Sequence, residues 1–324
     1  MSKPRFSHIA LSCCLALGGM AEGANIIWVS DLLPIGSGAS DNTAGATNGV
    51  FGGGAGPYAD QGLLNLLTSA GHTVTRFNPA DSPTPLSAGE LATLNASDLV
   101  IIGRSIASAQ FDAANEALAW NTGITKPLIS TNTYMTRNSR LGWFVGSTQP
   151  DQVANNLTFP NLADPATAYI VGSAALTGNT MTNSITTAVT YPDSAIDIRG
   201  ISEITDAPVA GASVIATSAV GAATGNFIVT LPAGTVVGNG TGPSAGQTLG
   251  GYRMQFLVGN RESATAPNNA IGSAGFNNLT PEGEQMFLRA VALAINNGVV
   301  PVPEPGTAVL AGVALTGLLR RRRS

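Results

Sequence analysis

Asp98-Leu-Val-Ile-Ile-Gly103 sets four consecutive aliphatic residues between an acid and a glycine. A run of strand length with no polar alternation is apolar on both sides. It predicts a parallel strand covered by helices on both faces. Upstream, Asn25-Ile-Ile-Trp-Val-Ser-Asp31 reads the same way and ends in an acid. Between the two runs, Leu63, Leu64, Leu66, Leu67 and Ala70 give a helix over 60–70 a broad apolar face, with Gly71 placed to cap it. His72-Thr-Val-Thr-Arg-Phe77 then alternates as a second strand. A short helix is expected over 87–94, with Ser87 as N-cap and Glu90 three residues on. Downstream, a helix over 110–120 carries Phe111, Ala114, Leu118 and Ala119, and Lys126-Pro-Leu-Ile-Ser130 follows as a strand. Strand and helix thus alternate through the first half. That pattern predicts an α/β fold built on a doubly wound, mostly parallel sheet, a three-layer sandwich.

The second half is richer in strand signals. Ala168–Val171, Ser213–Thr217, Phe227–Thr230 and Tyr252–Val258 are expected strands, added antiparallel at the sheet edge. Glycines at 234, 238, 240, 242, 246, 250 and 251 punctuate the turns between them. A closing helix starts at Thr280 as cap and Pro281 as first residue. Glu282 and Glu284 face the positive end of its dipole, and Met286, Phe287, Ala290, Val291, Ala294 and Ile295 form one stripe. The Gly- and Ser-rich stretch 36–56 is long for a connection, and would be mobile or folded over the strand ends.

The two ends differ in kind from this body. Lys3 and Arg5 precede the apolar run Ile9-Ala-Leu-Ser-Cys-Cys-Leu-Ala-Leu17, and small residues follow. Positive, apolar, small is the order of a secretory signal peptide over 1–24, cut after Ala21 or Ala24. An ordinary N-terminal helix, or a lipoprotein signal ending at Cys13 or Cys14, are the other readings. At the far end Val302-Pro-Glu-Pro-Gly306 precedes the apolar run 307–319 and four arginines, Arg320, Arg321, Arg322 and Arg323. As a helix that run spans roughly 20 Å, short against a hydrocarbon core of about 30 Å. With arginines held on the cytoplasmic side, residues 299–324 read as a linker and a weak stop-transfer tail, with the body, 25–298, outside the inner membrane. Pro303, Glu304 and Pro305, the apolar run and the arginine cluster closely resemble the PEP-CTERM signal. The resemblance implies export by the secretion machinery, transient anchoring in the membrane, and processing by an exosortase. Delivery to the cell surface or the extracellular matrix would follow. A plain tail anchor is the alternative.

Composition bounds the chemistry. The only two cysteines, Cys13 and Cys14, lie in the expected signal peptide, as does His8, so His72 is the one histidine of the body. Disulfides, thiolate metal sites, a cysteine nucleophile and a histidine-rich metal centre are excluded for a processed chain. Between Asn25 and Pro303 there are 9 Lys and Arg against 17 Asp and Glu, a net charge near −8. Such a body does not track a phosphate backbone, and nucleic-acid binding is not expected. Gly52-Gly-Gly54 lacks the Lys-Ser/Thr of a phosphate loop. No cofactor and no metal is expected.

Ile26 to Ser30, Ala70-Gly-His-Thr-Val74, Leu99-Val-Ile-Ile-Gly103 and the Leu279-Thr-Pro-Glu-Gly283 opening of the last helix look like the class I glutamine-amidotransferase-like fold and the related ThuA-like proteins. That family needs a Gly-x-Cys-x-Gly elbow and a later His-x-Glu pair. Here the segment after the fourth strand is Ile129-Ser-Thr-Asn-Thr-Tyr134, and no histidine follows His72. The family's catalytic residues have no counterpart, and no catalytic residue is assigned. If the fold is right, the chemistry has been lost or replaced.

In a doubly wound sheet, ligands sit beyond the carboxyl ends of the strands. The polar residues expected there are Asp31, Arg104, Ser105, Thr131, Asn132 and Tyr134, with Arg137 and Arg140 just beyond. Arginines fork onto carboxylates, and amides with an aromatic suit sugars. The bland reading is that Asp31 and Arg104 pair with each other or cap helices; His72 likewise reads first as structural. The expectation is a non-catalytic surface protein that binds or organises exopolysaccharide or another envelope component. A secreted carbohydrate hydrolase using strand-end carboxylates or a serine, and a purely structural matrix component, are the alternatives.

Overall fold

A computed structural model describes residues 23–30, 60–79, 85–152, 155–187, 189–190, 198–259 and 274–301. All lie within one compact unit, Glu22–Pro301. The elements are β1 (Asn25–Val29), α1 (Gln61–Ser69), β2 (Thr73–Phe77), α2 (Ala88–Asn95), β3 (Leu99–Ile102), α3 (Ala114–Leu118), β4 (Leu128–Ser130), α4 (Thr133–Thr136), β5 (Asp151–Gln152), β6 (Leu157–Thr158), α5 (Pro165–Val171), β7 (Leu176–Thr177), β8 (Thr180–Met181), β9 (Val189–Thr190), β10 (Ile198–Arg199), β11 (Ile201–Ser202), β12 (Ser213–Val220), β13 (Ala223–Leu231), β14 (Arg253–Phe256) and α6 (Pro281–Ile295).

One ten-stranded sheet carries the fold, in the order β2-β1-β3-β4-β14-β13-β12-β6-β8-β7; β9 pairs with β10 and β5 with β11 outside it. The strands from β2 to β14 are mutually parallel, and those from β13 onward join antiparallel. The apolar runs explain the layers. Ile26, Trp28, Leu99 and Ile101 point to one face and pack with Leu63 and Leu67 of α1 and with Met286, Phe287 and Ala290 of α6. Their neighbours Ile27, Val29, Val100 and Ile102 point to the other, against Leu94 of α2, Phe111 and Trp120. Two separate cores on opposite faces make the expected doubly wound sandwich.

The caps act as their residue types predict. Ser87 accepts from the Glu90 N–H at 3.3 Å while Glu90 accepts the Ser87 N–H at 2.7 Å. Thr280 accepts from Gly283 at 3.2 Å at the start of α6, behind Pro281.

Three expectations change. Ala168–Val171 is not a strand but the end of α5. Asp164 caps that helix, accepting from Thr167 at 2.8 Å, and Pro165 holds its first position. The cap outweighs the strand preference of Tyr169, Ile170 and Val171. The helix expected over 110–120 breaks into a 3₁₀ turn (Ser108–Phe111), α3, and a π turn (Ala119–Gly123). The third concerns 252–258, whose strand core β14 is no edge addition. It lies mid-sheet, parallel to β4 on one side and antiparallel to β13 on the other. The stretch 36–56 lies outside the described residues.

Candidate functional site

The order β2-β1-β3-β4 reverses between β1 and β3, and the carboxyl ends of these two strands flank the switch point. Backbone fills it. Ser30 Oγ donates to the Ser105 carbonyl at 3.2 Å, and Ser105 Oγ donates to the Ala274 carbonyl. Gly259 and Gly275 cross over Arg104: a Cβ on Gly259 would stand 2.9 Å from Gly275 Cα and 3.2 Å from Arg104 Cβ. Both glycines have positive φ, 90° and 93°, so a side chain would be refused on sterics and on backbone conformation alike.

One step along the sheet, the end of β4 is built from its own hydroxyls and amide. Thr131 donates to the Ile102 carbonyl through both N and Oγ1, at 3.0 and 3.1 Å. Ser130 Oγ donates to the Asn132 carbonyl at 3.0 Å. Asn132 caps α4, accepting from the Tyr134 N–H at 2.9 Å, and its Nδ2 donates to the Arg104 carbonyl at 3.2 Å. Ser105, Thr131 and Asn132 are buried and tie strand ends together. Among the described residues Asn297 alone, apart from glycine, has positive φ, so residues 130–134 form no left-handed nucleophile turn.

The groups that project from this scaffold are Tyr134, Arg137 and Arg140, all part-exposed. The Arg104 and Arg137 guanidinium carbons lie over the Tyr134 ring, 5.0 and 5.5 Å from its centroid. Ring quadrupoles attract cations in this range. Arg104 is buried to 4% exposure, so its guanidinium is a fixed floor. Arg137 donates to Gln149 Oε1 at 3.2 Å and to Ser108 Oγ at 3.3 Å, both neutral. Burial lowers its pKa, and the nearby charge of Arg140 lowers it further. Arg140 donates to the Ser139 carbonyl at 2.7 Å and reaches Asp112 at 3.7 Å. Polar neighbours surround this group: Asn138 donates to Thr241 at 3.1 Å, and Ser244 to the Arg140 carbonyl at 2.7 Å.

Of the residues expected to form a ligand site, the fold therefore brings Arg104, Tyr134, Arg137 and Arg140 together. It uses Ser105, Thr131 and Asn132 as scaffold. Asp31 lies outside the described residues, as do the tail residues from Val302 onward. His72 stands at the opposite end of the parallel strands, where its Nδ1 accepts the Ala24 N–H at 3.2 Å and burial lowers its pKa. That imidazole cannot serve Tyr134's end of the sheet.

Three buried polar groups escaped the sequence reading. Asp60 accepts from Trp28 Nε1 at 2.7 Å and from Arg76 at 2.5 Å. Arg253, fully buried, donates to five backbone carbonyls. Glu203, also fully buried, accepts from Ser218 and Asn155, and burial pushes its carboxyl up to about 7. A polar residue inside an apolar run, as Arg253 is before Met254, was the one available signal. A separate cleft of about 230 Å³ lies between α5 and the start of α6. Its Arg289 donates to the Val171 carbonyl at 3.3 Å and so closes α5. Among the described residues no three His, Cys, Asp or Glu gather to hold a metal ion, and no helix is long and apolar enough to cross a membrane.

No curated protein matches the chain in sequence. Among solved structures, the chain is similar to the glutaminase domain of Trypanosoma brucei CTPS with bound acivicin, at 11% identity and a TM-score of 0.41. The likeness covers 86% of this chain and 96% of that one. The fold described above rests on strand order and layers, not on that likeness. Residues 301–323 match the PEP-CTERM protein-sorting motif, which marks the chain for export and for exosortase-dependent sorting to the cell surface.

Proposed function

We propose that the sorted protein holds a polar envelope ligand, an exopolysaccharide above all, at its Tyr134 face and does no chemistry on it. The observation that carries this reading is the convergence of Arg104 and Arg137 on one tyrosine at the carboxyl end of the parallel strands, with Arg140 beside Arg137. Beside it, the hydroxyls that could have served as nucleophiles donate to backbone carbonyls instead. Guanidiniums bind and orient; they neither attack nor take up protons near neutral pH. Before sorting, the run 307–319 anchors the chain in the inner membrane, and processing near Pro303–Pro305 follows.

Two measurements test this. Glu304→Ala should leave an unprocessed, membrane-associated chain of higher mass; normal processing of that variant would refute the sorting step. The full-length protein on a glycan array should retain extracellular polysaccharides, with retention weakened by Tyr134→Ala. An array with no retained glycan would refute the binding role.

A further inference from the structure

Resting on that binding role, we infer that the ligand is acidic: a polysaccharide bearing carboxylates, as uronic-acid units do, whose carboxylate is taken by Arg137 and Arg140.

Charge comes first. The body is acidic overall, with 9 Lys and Arg against 17 Asp and Glu, yet two of those nine cations meet at one tyrosine and a third, Arg140, stands beside Arg137. Gathering like charges costs free energy. Arg140 depresses the Arg137 pKa, which is that cost expressed on a single group. The hydrogen-bond partners of Arg137 are Gln149 and Ser108, and Asp112 acts on it only as a nearby charge. Those bonds aim the guanidinium without neutralising it. Asp112 touches Arg140 at 3.7 Å, is 46% exposed, and is too loosely placed to cancel two cations.

Unmet hydrogen-bonding capacity comes second. Buried polar atoms in native proteins are nearly always partnered. Arg137 Nε, Arg140 Nε, Asn138 Oδ1 and Gln149 Nε2 have no partner, and all four belong to this one group of neighbours. Donors dominate the set, so it calls for an acceptor.

Tyr134 is the third point. Two guanidiniums already lie over its ring, so it serves to fix them, not as a stacking platform for a neutral sugar. Part-exposed arginines whose charge one exposed carboxylate only partly offsets select planar oxyanions.

The test uses the full-length chain and three probes: polygalacturonate, neutral dextran and dextran sulfate. Polygalacturonate should bind, weaken several-fold in 0.5 M NaCl, and outrank both others. Arg137→Gln with Arg140→Gln should lose about tenfold or more in affinity, with near-UV circular dichroism unchanged. Arg137→Lys with Arg140→Lys should recover only part, because lysine restores charge and not the planar fork. Dextran binding as tightly as polygalacturonate would overturn the acidic assignment while leaving the binding role intact. Tighter binding of dextran sulfate would overturn the carboxylate assignment. Polygalacturonate binding that ignores both salt and the double glutamine change would do the same. Failure of all three probes would instead remove the binding role itself.

Discussion

Replacing Arg253 with methionine, which has similar length and no donors, should remove a large fraction of the protein's stability. Arg253 is fully buried on β14 and donates to the carbonyls of Trp120, Asn121, Ile124, Lys126 and Tyr252, at 3.2, 2.8, 2.5, 2.8 and 3.2 Å. Two acceptors keep another donor: Gly250 N–H reaches Asn121 at 2.8 Å, and Leu128 N–H reaches Tyr252 at 2.9 Å. Lys126 is only part-buried, and water can replace the guanidinium there. Trp120, near the start of the π turn, and Ile124, just past its end, remain, and both carbonyls lose the guanidinium. At about 1–3 kcal/mol for each orphaned buried acceptor, with a smaller loss at Lys126, the cost is about 3–6 kcal/mol. Opposing it is relief of the burial penalty on the guanidinium, whose pKa is lowered to about 9. That value still lies above neutral pH, so the group stays charged and its bonds stay charge-assisted. Against a typical domain stability of about 5–15 kcal/mol, the net loss is a large fraction of the total. Urea unfolding followed by tryptophan fluorescence, with Trp120 beside the site, reads it directly. Arg253→Lys should fall between the two, since three donors cannot serve five acceptors. A methionine variant within about 1 kcal/mol of wild type would show that the carbonyls do not depend on the guanidinium.

Three further outcomes follow from the buried groups. Glu203 titrates at about 7 folded against 4.5 in its ordinary state, so the unfolded chain sheds its proton first; stability is full below 4.5 and falls as pH rises towards 7. The loss is up to about 3 kcal/mol, and Glu203→Gln should flatten the urea midpoint between pH 5 and 8. A wild-type midpoint that rises relative to the variant over that range would contradict the sign. Asp60→Ala strands the Trp28 indole N–H, takes the buried carboxylate from Arg76, which keeps Gln61 at 3.4 Å, and should cost about 3 kcal/mol, the low end for a broken buried pair, because Arg76 is 19% exposed. Thermal melting measures it, and an unchanged midpoint would mean that the pair is idle. Gly275→Ala sets a Cβ 2.6 Å from Ser105 Oγ at a φ of 93° and should lower stability by about 1–3 kcal/mol. A neutral effect in urea would show that the crossing of Gly259 and Gly275 can relax.

Much of the parallel half was legible because its signals are local. A double-sided apolar run names a buried strand, and Ser87 with Glu90, or Thr280 with Pro281, names a helix start within four residues. Ala168–Val171 misled because β-branched and aromatic side chains favour strands, while Asp164 and Pro165 just upstream held the stronger instruction. The position of β14 between β4 and β13 was not legible at all, since its apolar run is the same whichever neighbours it takes. At the candidate site the residue types were readable, and their division of labour was not. Thr131 and Tyr134 are equally polar on paper; one is spent on the Ile102 carbonyl and the other is turned outward under two arginines.

By itself, then, the amino-acid order determined the alternation of strand and helix, the sorting tail, and the poverty of thiol and imidazole in the body. Each depends on neighbours in the chain or on composition alone. Tertiary structure decided which strands became neighbours and that Arg253, Asp60 and Glu203 would be buried. It also decided which arginines would meet at Tyr134. Those outcomes depend on which segments the fold brings together, 15 and 48 residues apart at Glu203 and up to 133 at Arg253, where the free energy of a polar group is set by what surrounds it and not by what precedes it.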